Sequence, residues 1–415
     1  MLTRFSLYGF LKNQRYFEPF LLLAFLDAGL SFTSIGLLVA IREICVNLFE
    51  IPSGAIADVY GRRRSMILSF LAYIGSFVIF GLGSELWHFV PAMVLFGVGD
   101  AFRSGTHKAM ILSWLHSQGR QDEKVAVYGS TRSWSKTGSA VSVPIAAAIV
   151  IMDFGYSYVF WLSIVPYLVN LVNLGTYPKS LDGDGSSGSL VQLLRHVRRS
   201  AAMVWRRRSL RRVILEAMAM GGVYKSVKDY VQPAVKTAAV SLPVLFALDG
   251  EVRTALLIGV VYVLLFVLEA VASRRASRLV KTAGGAVQAA RWLWWALAVT
   301  MAVITAGLVF GVVVAAIVGF LGLAVIFNLY RPMLVSRIDD LSSRDQSATI
   351  LSVESQARAL CTLALAPVLG WCVDWATVGA EPALWPVGVG GLIVAMIAIV
   401  FVFPRAPSVD RDPSV

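Results

Sequence analysis

Long apolar runs alternate with short polar segments along almost the whole chain. A helix needs about 20 mostly apolar residues to cross a bilayer, and twelve runs approach that length. They cover residues 16–30, 35–58, 65–83, 89–112, 127–151, 156–177, 213–238, 253–272, 292–309, 312–335, 348–372 and 383–403. The pattern therefore predicts an all-α integral membrane protein with twelve transmembrane helices, which we number as spans in chain order, and no removable signal peptide.

The composition points to the same class of protein. The 415 residues are 57% hydrophobic and only 15% charged, whereas soluble proteins carry about 25% charged residues. The net charge of +12 falls in loops, because the even-numbered gaps between spans hold most of the Lys and Arg. Cytoplasmic loops show this excess, so we expect a multi-pass protein of the plasma (inner) membrane with both termini cytoplasmic, and no nucleic-acid binding.

One long polar segment divides the chain. It begins with a Gly- and Ser-rich stretch and continues into an Arg-rich stretch, which we expect to lie as an amphipathic helix on an anionic inner leaflet. Short sequence echoes between the two sides favour two pseudo-symmetric six-helix halves. The expected organisation is an N-terminal half over residues 1–177, a cytoplasmic linker over 178–212, a C-terminal half over 213–405 and a cytoplasmic tail over 406–415.

The loop between spans 2 and 3 carries a distinctive motif, Gly54-Ala-Ile-Ala-Asp58-Val-Tyr-Gly61-Arg62-Arg63-Arg64. It resembles the loop signature of the major facilitator superfamily, in particular of bacterial efflux-type members. The resemblance implies a secondary active transporter that works by alternating access, with a central cavity lined by spans 1, 4, 7 and 10. It also implies that Asp58 lies against the start of span 11 when the cytoplasmic side is closed.

Charged side chains inside spans are costly and mark candidate functional residues. We expect contacts with substrate or with the coupling ion from Asp27, Arg42, Glu43, Asp100, Arg103, Lys225, Lys228, Asp229, Asn328 and Arg331. Ion pairs that merely lock helices together are the alternative for each of them. Asp27 and Asp100 are the first choices for proton coupling, and the excess of basic residues suits an anionic or zwitterionic substrate.

Four further charges suggest gates at the cytoplasmic side. Glu50 lies about 12 Å above the end of span 2, at a depth similar to that of Arg358 in span 11, which the family packs beside span 2. The mirrored pair is Glu269 with Lys136. We expect both pairs to close when the protein faces outward, together with a conformational latch formed by Gly54, Asp58, Gly61, Arg62 and Arg63.

These features predict a proton-coupled carrier that moves a small organic or drug-like solute, by export rather than uptake. Two departures from the drug/proton antiporters of the resembled family count against a multidrug transporter. Span 5 lacks their Gly-Pro pair, and Arg103 precedes Gly105 by only two residues, whereas their span 4 Arg precedes its Gly by several. An organic-anion carrier and a non-transporting membrane sensor remain as alternatives. The sequence has no nucleotide-binding loop and no His/Cys cluster with metal spacing, so we expect no enzyme activity, cofactor or metal. We further expect the protein to be a monomer.

Overall fold

A computed structural model describes residues 1–104, 106–120, 123–152, 154–182, 205–241, 247–341, 344–379 and 381–402. Within these ranges, nothing is described for the side chains of residues 51, 55, 58, 124–126, 128, 344–349, 401 and 402. The predicted contact of Asp58 with span 11, much of the Arg-rich linker and the tail after residue 405 therefore lie outside the described residues. The described part of the chain is helical and contains no β-strand.

Eight helices build the first six spans. Span 1 is formed by α1 (Leu2–Lys12) and α2 (Leu21–Asp27), and span 4 by α5 (Leu86–Arg103) and α6 (Thr106–Ser117). The other four spans are single helices: α3 (Phe32–Tyr60), α4 (Arg62–Leu82), α7 (Lys124–Ile151) and α8 (Tyr158–Gly175).

Seven helices build the last six spans. Span 7 consists of α9 (Arg208–Val227), a 3₁₀ turn (Lys228–Tyr230) and α10 (Val231–Ser241). Spans 8 to 12 are α11 (Gly250–Thr282), α12 (Ala286–Val309), α13 (Val313–Asp340), α14 (Arg344–Ala376) and α15 (Trp385–Val402). Eight helices of the described chain are each long and apolar enough to cross a membrane, spans 1, 4 and 7 are broken pairs of helices, and span 12 is a shorter apolar helix over Trp385–Val400. The predicted twelve-span, all-α fold is confirmed.

The two halves meet along two pairs of helices. α3 of span 2 packs against α14 of span 11, and α7 of span 5 packs against α11 of span 8. We call the end of the bundle that holds the α3–α4 loop the Arg62 end, and the opposite end, where α14 finishes, the Asp374 end. Along the sides of the bundle many Leu, Val, Ile and Trp side chains are exposed, as a surface in contact with lipid requires.

Span 1 differs from its prediction over residues 16–30. It begins at Leu2, and residues 13–20 interrupt it before α2 starts at Leu21. The physical reason for the break is Pro19, which has no N–H and disfavours helical geometry at Glu18. The start was missed because Arg4, Lys12 and other polar residues make the α1 sequence look like a tail outside the membrane.

Side chains from other spans satisfy the backbone groups that the break in span 1 leaves free. The Gln232 amide oxygen accepts from the N–H groups of Leu22 and Leu23, at 2.9 and 3.4 Å. Its amide nitrogen donates to the carbonyl of Glu18, at 3.0 Å, and to the Tyr262 hydroxyl, at 2.8 Å. Irregular backbone at membrane depth requires such partners, so span 7 holds the break of span 1 in place.

The α3–α4 loop is fixed by Asp182, which follows span 6 in the chain. Gly61 has φ +101°, and a Cβ on it would lie 2.9 Å from the Asp182 carboxyl. This position therefore requires glycine. The Asp182 carbonyl accepts from Arg62 N at 3.3 Å and its carboxylate accepts from Arg63 N at 2.8 Å. Residues 179–182, at the start of the predicted linker, thus contact the first half.

Candidate functional site

A cavity of about 300 Å³ lies between the two halves at mid-depth. The break in span 1 opens onto it, so that Arg15 and Glu18 line it together with residues of spans 2, 7 and 11. Five basic residues of the lining face three acidic ones: Arg15, Arg42, Lys225, Lys228 and Arg358 against Glu18, Glu43 and Asp229. The cavity is therefore polar and net basic, as the balance of charges within the spans predicted.

One ion pair in the cavity joins the two halves. Lys225 Nζ of span 7 lies 2.9 Å from Glu43 Oε1 and 2.8 Å from Glu43 Oε2 of span 2. Glu43 is only 2% exposed, whereas the Lys225 side chain is 33% exposed. A buried carboxylate with a single partly accessible cation depends strongly on that partner. A ligand that binds Lys225 must therefore also compensate the negative charge of Glu43.

A second network, of hydrogen bonds around Asp100, lies next to the cavity. Asp100 accepts from Arg42 Nη2 at 2.6 Å on one side, and from the Tyr73 hydroxyl at 2.5 Å and Arg103 Nη2 at 3.3 Å on the other. Arg103 Nε also donates to the Tyr73 hydroxyl, at 3.0 Å. Asp100 is thus saturated with donors and holds Arg42 so that the guanidinium lies over the Phe96 ring, 5.0 Å from its centroid.

Aromatic rings supply the apolar part of the lining. Tyr224 and Phe327, both from the second half, stack with their centroids 4.0 Å apart and an interplanar angle of 4°. The Tyr224 hydroxyl donates to Glu269 at 2.8 Å, which fixes the ring. On the opposite side lie Phe17 and Phe96. A site with charged groups and flat aromatic faces suits small organic molecules that carry both kinds of surface.

The cavity is closed at the Asp374 end by contacts between the halves. The Asp374 carboxylate accepts from the backbone N–H groups of Phe32 and Thr33, at 3.0 and 2.7 Å, and from the Thr33 hydroxyl at 2.6 Å. These N–H groups begin α3, where the helix dipole favours an anion. The Phe32 ring stacks on Tyr230 of span 7, with centroids 5.7 Å apart. Span 11 and span 7 are thus both tied to the start of span 2.

Close backbone packing completes this closure. A Cβ on Gly36 of α3 would meet the Ala366 carbonyl oxygen at 2.5 Å, and one on Gly370 of α14 would overlap the Phe32 carbonyl. Toward the Arg62 end of the same helix, a Cβ on Gly54 would meet nothing within 4 Å. Spans 2 and 11 therefore touch backbone to backbone at the Asp374 end, whereas no described atom lies within contact distance of a Cβ at Gly54.

The Major Facilitator Superfamily profile matches residues 13–360, which is most of the chain and includes the break in span 1, the α3–α4 loop and all but one of the residues that line the cavity. The chain belongs to the Major Facilitator Superfamily. The predicted family is confirmed, and with it a transporter, not an enzyme, that works by alternating access. The bacterial efflux subtype remains a prediction.

Curated relatives are themselves described only as transporters. The chain is 21% identical over 248 residues to an uncharacterized MFS-type transporter, YxaM, of Bacillus subtilis (strain 168), a match that covers 58% of this chain and 60% of that protein. It is 29% identical over 142 residues to an uncharacterized transporter of Buchnera aphidicola subsp. Schizaphis graminum, covering 34% of each. The matched segments thus span less than two thirds of these relatives.

Solved transporters share the fold across nearly the full length. The nucleoside transporter NupG superposes with a TM-score of 0.76 at 11% identity, covering 97% of both chains. A D-xylose–proton symporter superposes with a TM-score of 0.69 at 14% identity, also covering 97% of both. At these identities the likeness shows the facilitator fold alone.

The structure brings six of the predicted charged residues to the cavity of this facilitator and places others elsewhere. Arg42, Glu43, Lys225, Lys228, Asp229 and Arg358 line the cavity. Asp27 is exposed at the end of α2, while Asp100 and Arg103 belong to the network next to the cavity. Asn328 donates to the Ala324 carbonyl of its own helix, and Arg331 pairs with Glu354 at 2.8 Å.

The four residues predicted to form gates are arranged unequally. Lys136 Nζ lies 3.7 Å from Glu269 Oε2, which joins spans 5 and 8. Arg358 Nη1 instead lies 3.7 Å from Glu354 of its own helix, and Glu50 is within electrostatic reach of Arg358 without an ion pair in the described structure. The function of both pairs as gates stays a prediction.

The arginines of the α3–α4 motif contact their own half. Arg62 Nη1 donates to the Ser113 hydroxyl of span 4 at 2.7 Å. Arg63 Nη1 donates to the carbonyl of Gly175, the last residue of span 6, at 3.4 Å. It also donates to the carbonyl of Tyr177, two residues further on, at 3.2 Å. In this conformation the motif joins the Arg62 ends of spans 3, 4 and 6.

Sequence reasoning missed two charged residues of the cavity, Arg15 and Glu18. Both lie in the break of span 1, and their own contact is an ion pair of 3.7 Å. The signal that could have found them is the Glu18-Pro19 dipeptide inside an apolar run, because a proline there predicts a helix break and broken spans mark transporter binding sites.

Proposed function

We propose that this facilitator exports a small zwitterionic organic solute with an aromatic or apolar body in exchange for protons. The observation that carries the proposal is the Glu43–Lys225 pair, which spans the two halves inside a cavity lined by aromatic rings. A zwitterion can replace both halves of this pair, its cationic group at Glu43 and its anionic group at Lys225. The remaining basic residues favour solutes with an additional anionic group.

Proton exchange follows from competition at one carboxylate. When Glu43 takes up a proton, it no longer attracts the cationic group of the solute, so proton and solute bind in turn. Protons entering the cell would then drive the solute out. The export direction is supported by the motif's resemblance to efflux-type members.

A second candidate is a carrier of organic anions, which the excess of five basic over three acidic residues in the lining supports. In that case, protonation of Glu43 releases Lys225 to bind the anion, so that proton and anion bind together. The coupling would then be symport, and an inward proton gradient would drive uptake.

We further propose a monomer in the plasma membrane with both termini cytoplasmic. The Arg62 end carries exposed basic residues, among them Arg206 and Arg207 before α9 and Arg208 at its start, and the positive-inside tendency assigns such an end to the cytoplasm. The same residues can contact an anionic inner leaflet.

Transport in proteoliposomes under an imposed pH gradient tests these proposals. The panel contains an aromatic amino acid, an aromatic carboxylate and tetraphenylphosphonium as a purely cationic probe. The exchange proposal expects the zwitterion to move against the proton flow, while the second candidate expects the carboxylate to move with it. Movement of the cation alone would contradict both.

A further inference from the structure

A second cavity, of about 290 Å³, lies within the first half between α1, α6 and α7. Four basic side chains line it, namely Lys12, Arg103, Lys108 and Arg132, and no Asp or Glu is among its lining residues. We call it the basic pocket. Its composition differs from the central cavity, where three acids offset five bases.

Neutral hydrogen-bonding groups accompany these charges. His107 lines the pocket and its ring stacks on Tyr8, with centroids 3.7 Å apart. His107 Nε2 is buried and has no hydrogen-bond partner among the described residues. Thr131 and Ser135 add hydroxyl groups. A buried polar atom without a partner is uncommon in folded proteins and is a reason to look for a missing ligand.

The pocket is separate from the central cavity but adjacent to it. Lys12 is the last residue of α1, and Arg15, three residues further on, already lines the central cavity. Between the two spaces stands Asp100, which binds Arg42 on the cavity side and Arg103 on the pocket side. The Asp100 network is therefore a charged wall between the two.

From this arrangement we propose that the basic pocket is a binding site for an anionic group, a phosphate or a carboxylate. Asp100 offsets the charge of Arg103, but no acid among the lining residues offsets Lys12 or Arg132. A bound anion relieves the repulsion between these like charges while accepting hydrogen bonds from Lys, Arg and His107. The anion has two possible sources, a soluble ion or the headgroup of an acidic lipid. The proposal does not depend on what the central cavity transports.

Cysteine chemistry with two reagents of equal size and opposite charge tests the site. The Ser135→Cys variant in detergent is treated with an anionic sulfonatoethyl or a cationic trimethylammonioethyl methanethiosulfonate, and the rate of the parent chain with its native cysteines is subtracted. Electrostatic attraction raises association rates at least about tenfold, so we expect the anionic reagent to react about tenfold faster. A Ser139→Cys variant, one turn further along α7 and outside the pocket lining, should show no such preference.

Variants of the exposed Arg132 attribute the preference to the pocket. Arg132→Gln should reduce the ratio of the two rates at least threefold, whereas Arg132→Lys, which keeps the charge, should preserve it. Lys12→Gln serves as a second variant if Arg132→Gln does not yield monodisperse protein. Equal rates for the two reagents, including no reaction with either, or a ratio unchanged by both neutral variants, would overturn the proposal.

Protection experiments on the Ser135→Cys variant identify the source of the anion. Inorganic phosphate that slows the anionic reagent at the introduced thiol in lipid-free detergent, at matched ionic strength, would assign the pocket to soluble anions. Protection by dioctanoyl phosphatidylglycerol but not by phosphate would assign it to a lipid headgroup. Protection by neither would contradict an anion site even if the charge preference were present.

Discussion

Lys225 and Glu43 form an ion pair that joins the two halves of the transporter inside its central cavity, with both carboxylate oxygens within 2.9 Å of the ammonium. Neither charged group has a second hydrogen-bond partner among the described side chains, in contrast to Asp100, which binds two arginines and a tyrosine. A single exchangeable partner makes the Glu43–Lys225 pair the place where a solute or a proton can change the balance between the halves.

The first prediction concerns closure at the Asp374 end. Asp374→Asn removes the charge that three donors at the start of α3 share. Because hydrogen bonds to a charged group are each worth about 1.5–3 kcal/mol, the closed state should lose at least that much. The measurement is the labelling rate of Val39→Cys, in the cavity lining, by an impermeant thiol reagent added from the Asp374 side. It should rise about tenfold or more.

Glu381→Gln is the matched control, since Glu381 is an exposed acid that lines a separate cavity at the same end as Asp374. It should leave the labelling rate unchanged. If Asp374→Asn behaved like this control, the carboxylate would not hold the end closed.

The second prediction compares two glycines of the same helix. Gly36→Ala places a methyl group against the Ala366 carbonyl, at 2.5 Å, so that α3 and α14 must separate, at a cost of about 1–3 kcal/mol to the closed state. Gly54→Ala meets no described atom within 4 Å and should not weaken this state. The labelling rate at Val39→Cys should rise in the first variant only, and equal effects of the two alanines would refute the asymmetric packing.

The third prediction concerns the break in span 1. Gln232→Leu leaves the N–H groups of Leu22 and Leu23 and the carbonyl of Glu18 without their buried partner. An unsatisfied buried polar group costs about 1–3 kcal/mol, so the melting temperature in detergent should fall by several degrees. Gln118→Leu, at an exposed loop position, should melt as the parent does. A Gln232→Leu protein of unchanged melting temperature would mean that the break is supported otherwise.

The fourth prediction concerns a buried ion pair in the second half. Arg337 of α13 donates two hydrogen bonds to Glu216 of α9, at 2.5 and 2.9 Å. Breaking such a pair costs about 3–5 kcal/mol because one charge stays buried without a partner, so Arg337→Gln should melt far below the parent. Joint replacement by Arg337→Met and Glu216→Leu should recover most of the loss.

Arg120→Gln supplies the comparison for this pair. Arg120 and Glu123 also lie close together, at 2.6 Å, but their side chains are 39% and 46% exposed. Exposed pairs contribute little to stability, so the variant should melt with the parent. An equal loss in both variants would contradict the effect of burial.

Most of the fold was predictable from the sequence, because a long apolar run can be recognised from local information alone. α4, α8 and α15 each begin and end within three residues of their predicted bounds. The break in span 1 was not predicted, since a run of apolar residues from Phe20 onward outweighed one proline in the pattern. The charged cavity residues of spans 2 and 7 were predicted because a charge inside a span has few structural reasons to be there.

The contacts that close the bundle were beyond the sequence. Asp374 meets Thr33 across 341 positions of the chain and Gln232 meets Leu22 across 210, and no local pattern specifies which partners distant spans bring together. Asp27 was selected because it lies in an apolar run, and the structure places its side chain at the end of α2, where it is exposed. The sequence predicts how deep a residue lies within its span, but not which neighbouring span its side chain faces.

The most direct test of the central claim is solute exchange by Glu43→Gln in proteoliposomes, with Lys225→Met beside it and Glu123→Gln as an exposed control. If Glu43 binds the cationic group of the solute and the proton in turn, the Glu43→Gln variant should slow exchange of labelled for unlabelled solute at equal pH at least about tenfold, and the transport that remains should not respond to a pH gradient. Lys225→Met should weaken both activities, because it removes the anion partner. Full pH-driven transport by Glu43→Gln and Lys225→Met alike would contradict the account.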